Sequence, residues 1–172
     1  LLANEALDYT VYYLPFILIV LSGLANQPLV LVIDGSVTGR GCVTLMVSVI
    51  YQRRALPLLW VTRKGKKGHF PETIHIELIK AVQDILPSSR DVIILGDGEF
   101  DGTEWLETLN RCGWYYVCRT AKDSVFYEGD DEFKIQDICP ECGGCTGLLD
   151  VRFTRRRYGP VMAVAWWGRK YE

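Results

Sequence analysis

Hydrophobic and polar residues along the chain fall into two recurring patterns. Leu29-Val30-Leu31-Val32-Ile33 and Val92-Ile93-Ile94-Leu95 are short, uninterrupted apolar runs. Such runs suit strands covered on both faces, at the centre of a sheet. Residues 42 to 51 alternate instead, with Val43, Leu45, Val47, Val49 and Tyr51 on one side, and predict a second strand. Ala55 to Thr62 predicts a third, with Pro57 placing it at an edge because proline cannot donate to a ladder. Leu78, Ile79, Val82, Ile85 and Leu86 recur at helical spacing after Pro71. Trp105, Leu106 and Leu109 do the same between Asp101 or Thr103, as a cap, and Gly113, before a fifth strand over Trp114 to Thr120.

The predicted order is three strands in a meander, then helix, strand, helix, strand. Short loops make the first three antiparallel, whereas a helical crossover returns the chain parallel. If the fourth strand lies beside the first, Asp34 and Asp97 emerge side by side at one sheet end. The expected fold class is α/β, a ribonuclease-H-like mixed five-stranded sheet with flanking helices. Residues 1 to 28 form an N-terminal helical segment, including a core helix starting near Pro15, and residues 29 to 125 form the core. Residues 126 to 172 begin a β-rich insertion, with an acidic, loop-like stretch from Phe126 to Asp137 and strands at Leu148 to Phe153 and Val161 to Trp167.

Composition adds little. The 172 residues are 49% hydrophobic and 23% charged, as in ordinary globular domains, with a net charge of −2. A polyanionic partner would have to be met by local patches. The apolar stretch Val11 to Leu21 falls short of the about 20 residues of a membrane span and lacks signal-peptide features. No membrane association is expected, and with no export signal a cytoplasmic, reducing setting is. The chain opens on Leu1 and closes on Tyr171-Glu172, so a fragment or excised domain is expected.

Paired carboxylates carry the candidate chemistry. Two carboxylates a few ångströms apart repel unless a cation joins them. Mg²⁺ favours oxygen ligands, often one or two carboxylates plus phosphate oxygens. Asp34 and Asp97 are therefore candidate metal ligands and catalytic residues. Asp101 reads more readily as a helix cap, and no structural role for Glu99 follows from the sequence. Arg63, Lys64, Lys66, Lys67 and His69 form a glycine-interleaved basic loop suited to a nucleic-acid backbone. Arg119 and Lys122 follow the fifth strand, at the same sheet edge. Arg53-Arg54 and Arg155-Arg156-Arg157 are weaker candidates. Cys139, Cys142 and Cys145 suggest a metal knuckle but offer three ligands where a structural zinc site takes four. Cys42, Cys112 and Cys118 read as buried thiols, and His75 as a helix-surface residue.

Three segments carry a family resemblance: Leu31-Val32-Ile33-Asp34-Gly35-Ser36, Lys66-Lys67-Gly68-His69-Phe70, and Leu95-Gly96-Asp97-Gly98-Glu99-Phe100-Asp101-Gly102. Residues 26 to 125 resemble the catalytic core of DDE-type bacterial insertion-sequence transposases, in the group named after insertion sequence four. The resemblance implies Mg²⁺-dependent (or Mn²⁺-dependent) cutting and joining of double-stranded DNA, at element ends and target, in the bacterial nucleoid. A homodimer in the DNA complex is a further expectation. Asp34 matches the family's first acid and Asp97 its second. The third is a Glu preceded by Arg four residues back and Tyr three before that, on a helix after the insertion. No segment fits, since Glu172 follows Tyr171 directly. The expected protein is thus a transposase core lacking its third acid. The alternatives are another Mg²⁺-dependent nuclease or phosphoryl-transfer enzyme, or an inactive transposase-derived remnant. Ser36, where a phosphatase would carry a second Asp, argues against that variant.

Overall fold

The computed structural model describes residues 8–24, 26–65, 70–87 and 91–168. It divides into two compact units, residues 1–118 and 119–172. The first holds a five-stranded mixed sheet in the order β3-β2-β1-β4-β5. β1 (Leu29–Gly39), β2 (Cys42–Tyr51) and β3 (Arg54–Lys64) form the antiparallel meander, and β4 (Val92–Gly96) and β5 (Tyr115–Cys118) join in parallel. Helix α3 (Glu72–Ile85) leads into β4 and packs on β2 and β3. Helix α4 (Thr103–Arg111) leads into β5 and packs on it and on α3.

The alternation of the strands accounts for the core. Leu31 pairs with Val49 and with Ile94, and Ile33 pairs with Val47, so these side chains share one face. All five are buried, together with Leu29, Leu45 and Val92. Val30, Val32, Ile93 and Leu95 point the other way and are half-buried. From α3, Ile74, Leu78, Ile79 and Val82 complete the core, and from α4, Trp105, Leu106 and Leu109. Each fully buried large side chain contributes about 1.5–3 kcal/mol relative to an exposed one. Pro57 lies on β3, the edge strand, beside a bulge opposite Val47/Ser48.

Strand β1 does not stop at Asp34. It runs to Gly39, because residues 34 to 37 continue the antiparallel ladder with β2, pairing Gly35 with Leu45 and Val37 with Val43. Its parallel pairing with β4 ends at Val32.

The N-terminal segment forms two short helices, α1 (Tyr9–Tyr12) and α2 (Leu14–Gly23), with Pro15 in the first turn of α2. The hydroxyls of Tyr9 and Tyr13 donate to the carbonyls of Leu58 and Pro57 on β3, at 2.9 and 2.7 Å. Both rings pack edge-on to Trp60. Burial raises the pKa of both phenols. Helix α2 is only partly a core helix. Ile17 and Leu21 are buried, but Phe16 and Ile19 are 54% and 70% exposed, because its sequence is apolar on every side and one side alone faces the protein.

The second unit is a four-stranded antiparallel sheet in the order β7-β6-β8-β9. The acidic stretch expected to be a loop is instead the hairpin β6 (Val125–Glu128) and β7 (Asp131–Lys134), followed by a single 3₁₀ turn, Ile135–Ile138. Phe126 explains the order: it stacks on Phe133 at 5.8 Å and meets Phe153 at 5.0 Å. Gly129, with φ of 62°, supplies the turn. β8 (Cys145–Phe153) and β9 (Tyr158–Trp166) form the long hairpin.

Replacing Ile94 by Ala should lower stability by about 2–5 kcal/mol, through lost burial plus a residual cavity. Replacing the exposed Val117 by Ala should change it by no more than about 0.5 kcal/mol. Urea unfolding of the two variants checks the contrast.

Candidate functional site

The site is built where β1 leaves β4. Val32 pairs with Leu95. Asp34 and Asp97 each lie two residues past this pair, Asp34 still on β1 and Asp97 just beyond the end of β4. Both aspartates are exposed, whereas the residues before them, Ile33 and Gly96, are buried and half-buried.

The turn after β4 is tightly specified. A Cβ at Gly96 would stand 2.7 Å from the Cβ of Phe100, so no other residue fits there without displacement. Phe100 is buried and anchors the turn in the core. Its N–H donates to the Asp97 carbonyl at 3.1 Å. The N–H of Glu99 donates to Asp97 Oδ1 at 3.0 Å. The Asp97 side chain thus closes a turn two residues ahead, as Asp commonly does, and one of its oxygens is held in place.

Two further carboxylates bind backbone. Glu99 Oε1 accepts from the Phe70 N–H at 3.0 Å, and Glu99 Oε2 lies 3.6 Å from where a Cβ of Gly35 would stand. Glu72, in the first turn of α3, accepts from the Trp105 N–H at 2.8 Å through Oε1. It thereby caps α4 from another helix. This corrects the expectation that Asp101 or Thr103 caps α4: the N-cap position is Gly102, without a side-chain hydrogen bond. The Glu72 carboxylate occupies the space that a side chain at 102 would need.

His75 is also corrected, from helix surface to interior. It is 3% exposed, with its ring 4.9 Å from Phe100 and 5.9 Å from Trp105. Its Nε2 lies 3.7 Å from Glu99 Oε1. A hollow of about 250 Å³ is lined by Phe70, Glu72, His75, Glu99, Asp101 and Trp105 among others. The sequence held a signal for His75, because 75, 78, 79 and 82 fall on one helical face. Glu72, three residues earlier, shares it.

Arg63 and Lys64 are exposed at the end of β3. Lys66, Lys67 and His69 lie outside the described residues. Arg119 and Lys122 are exposed in the second unit, where the Lys122 carbonyl accepts from the Gln136 N–H. Of the other arginines, Arg157 lies over the Tyr127 ring at 4.5 Å and is thus tied into the second unit. Cys139, Cys142 and Cys145 are exposed. Among the described residues no three His, Cys, Asp or Glu side chains converge as a metal cluster. Cys42, Cys112 and Cys118 are half-buried rather than fully buried. Burial pushes the Cys118 thiol up to about 11. Trp105 Nε1 is buried without a hydrogen bond of normal geometry, and the Cys118 sulfur is the weak acceptor it bears on.

The family described as the transposase DDE domain matches residues 28–162, from just before β1 into β9. The chain belongs to this family, whose members are DNA-cleaving enzymes of transposition. No curated protein matches the chain significantly.

Replacing Gly96 by Ala should destabilise the protein by about 1–3 kcal/mol, the usual cost of overpacking, as read by thermal unfolding. With its pKa raised to about 11, Cys118 should remain a thiol at pH 8. Iodoacetamide should then modify the exposed Cys139, Cys142 and Cys145 well before Cys118, as peptide mass spectrometry can follow.

Proposed function

We propose that this chain is the catalytic core of an insertion-sequence transposase of the insertion-sequence-four-like group, with a ribonuclease-H-like sheet. In this reading Asp34 and Asp97 together hold Mg²⁺ or Mn²⁺ at the DNA phosphodiester. The observation that supports it is the shared register of the two aspartates, each two residues beyond the Val32–Leu95 pair. The oxygen donors suit a hard divalent cation: two exposed carboxylates, one on β1 and one just beyond β4. A cation held by these residues would supply Lewis-acid polarisation of a phosphoryl oxygen and stabilisation of the leaving oxygen of the ester.

The chain's own residues do the rest. Asp97 is oriented by the Glu99 N–H on its Oδ1, which leaves its other oxygen for the cation. Asp34 approaches from the strand beside it. Their mutual repulsion, unfavourable alone, becomes affinity for a divalent ion. Arg63, Lys64, Lys66, Lys67, His69, Arg119 and Lys122 neutralise backbone phosphates of double-stranded DNA, the main source of non-specific affinity. Residues 29–125 act as the catalytic core, residues 1–28 as an N-terminal helical segment and residues 126–172 as the β-rich insertion. Strand cutting also needs a third carboxylate, which no segment of this sequence matches. Asp34 and Asp97 are therefore two-thirds of a complete acidic set.

Titration of the chain with Mn²⁺, followed by electron paramagnetic resonance, tests the reading. Asp34→Asn and Asp97→Asn should each weaken binding by more than about tenfold. Wild-type affinity in both variants would sink the assignment. Replacing Arg63 and Lys64 together by Ala should reduce the salt dependence of duplex binding by about one phosphate contact per residue, as fluorescence anisotropy at several salt concentrations would register.

A further inference from the structure

Three pieces of the first unit meet at the carboxylate of Glu99. The first is the entry to α3, where the Phe70 N–H donates to Oε1 at 3.0 Å. The second is α3 itself, whose His75 places Nε2 3.7 Å from the same oxygen. The third is β1 just past Asp34, where Oε2 lies 3.6 Å from the Cβ position of Gly35. The backbone of Glu99 makes the fourth connection, donating to Asp97 Oδ1.

We propose that Glu99 is a positioning residue of the DNA-cutting centre. Its carboxylate clamps the entry to α3 and the outgoing segment of β1 onto the β4–α4 turn, and so fixes Asp97 relative to Asp34. This rests on the reading of those two aspartates as metal ligands.

The chemistry separates Glu99 from a ligand. Its side chain is 19% exposed, whereas Asp34 and Asp97 are exposed. Its Oε1 already serves a backbone donor. Beneath it the His75 ring is packed against Phe100 and Trp105, which are both buried. The clamp therefore stands on a rigid base rather than on a mobile surface. Gly35 borders the same arrangement: a Cβ there would stand 3.6 Å from Glu99 Oε2, in ordinary contact, so the carboxylate lies against β1 beside the first aspartate. Residues that hold ligands in place in this way, without touching the metal, typically cost about 10–100-fold in affinity when removed.

Glu99→Ala and Glu99→Gln separate the possibilities, because Gln keeps an oxygen acceptor for the Phe70 N–H and loses the charge. Amide exchange by nuclear magnetic resonance and Mn²⁺ affinity are measured on both variants, beside wild type and Asp97→Asn. In Glu99→Ala, Phe70 exchange should speed up and Mn²⁺ affinity fall, each by about tenfold. The amides of Leu31 and Ile94 should stay protected, reporting an intact sheet. Glu99→Gln should recover most of both losses. If Phe70 exchange is unchanged in Glu99→Ala, the clamp does not exist. If Glu99→Gln binds Mn²⁺ as weakly as Asp97→Asn, Glu99 is a ligand and the positioning role is overturned. Should Glu99→Ala lose its sheet, Glu99→Gln decides by the same comparison. Failure of wild type to bind Mn²⁺ would remove the metal reading alone, and the Phe70 amide would still decide whether Glu99 positions the turn.

Discussion

The parallel register between β1 and β4 is the constraint on which the site depends. Leu29 to Val32 pair with Val92 to Leu95, and the pairing is held by side chains that cannot move outward: Leu29, Leu31, Val92 and Ile94 are buried on the same face. A slip of one residue would turn that face to the outside. The core thus fixes the strands from which the two exposed acids follow, each two residues past the Val32–Leu95 pair. Beyond Val32, β1 keeps only β2 as a partner. Asp34 stands at this change from two-sided to one-sided pairing, where a strand edge becomes available to something other than protein.

The acidic residues around this point divide by what they bind. Glu72 and Glu99 each accept a backbone N–H, from Trp105 and Phe70, and the Glu72 carboxylate also fills the space that a Cβ at Gly102 would need. Charged acceptors make stronger hydrogen bonds than neutral ones, and a carboxylate at the first turn of α4 also suits the helix dipole. These two carboxylates join α3 to the β4–α4 connection. Asp34 and Asp97 remain exposed. The backbone-binding acids and the exposed ones thus sit within a few residues of each other but differ in burial and in partners.

The meander, both crossover helices and the β4–β5 addition were legible because each carries an apolar period that tertiary packing does not override. Asp34 was legible as a residue and misplaced as a strand end. Gly35-Ser36-Val37-Thr38-Gly39 has the composition of a turn, and its pairing with β2 depends on partners such as Leu45 and Val43 that no local pattern specifies. The hairpin β6–β7 was illegible for a related reason: four-residue strands are too short to show alternation, and Phe126 finds Phe133 and Phe153 only in three dimensions. The cap of α4 could not be read locally either, because Glu72 reaches it from 33 residues away in sequence. His75 was legible in its spacing with Leu78, Ile79 and Val82, but histidine on a helix reads as polar surface until the aromatic pocket of Phe100 and Trp105 is in view.

Charge explains why the pieces of the proposed centre must act together. Two exposed carboxylates repel a phosphate as well as each other, by about 1 kcal/mol per pair at 4 Å in water and more near protein. A chain with net charge −2 has no global field to offset this for a polyanion. In the proposed reading, a divalent cation between Asp34 and Asp97 would reverse the local sign, and cations such as Arg63 and Lys64 at the end of β3 would extend the favourable region along a backbone. The aspartates that exclude DNA on their own would then hold its phosphate. Rigidity matters for this reversal, because a shared ion tolerates little change in the separation of its ligands. The buried register of β1 and β4 holds the two strands together, and Glu99 ties the turn after β4 to the entry of α3 through its carboxylate and to Asp97 through its backbone N–H.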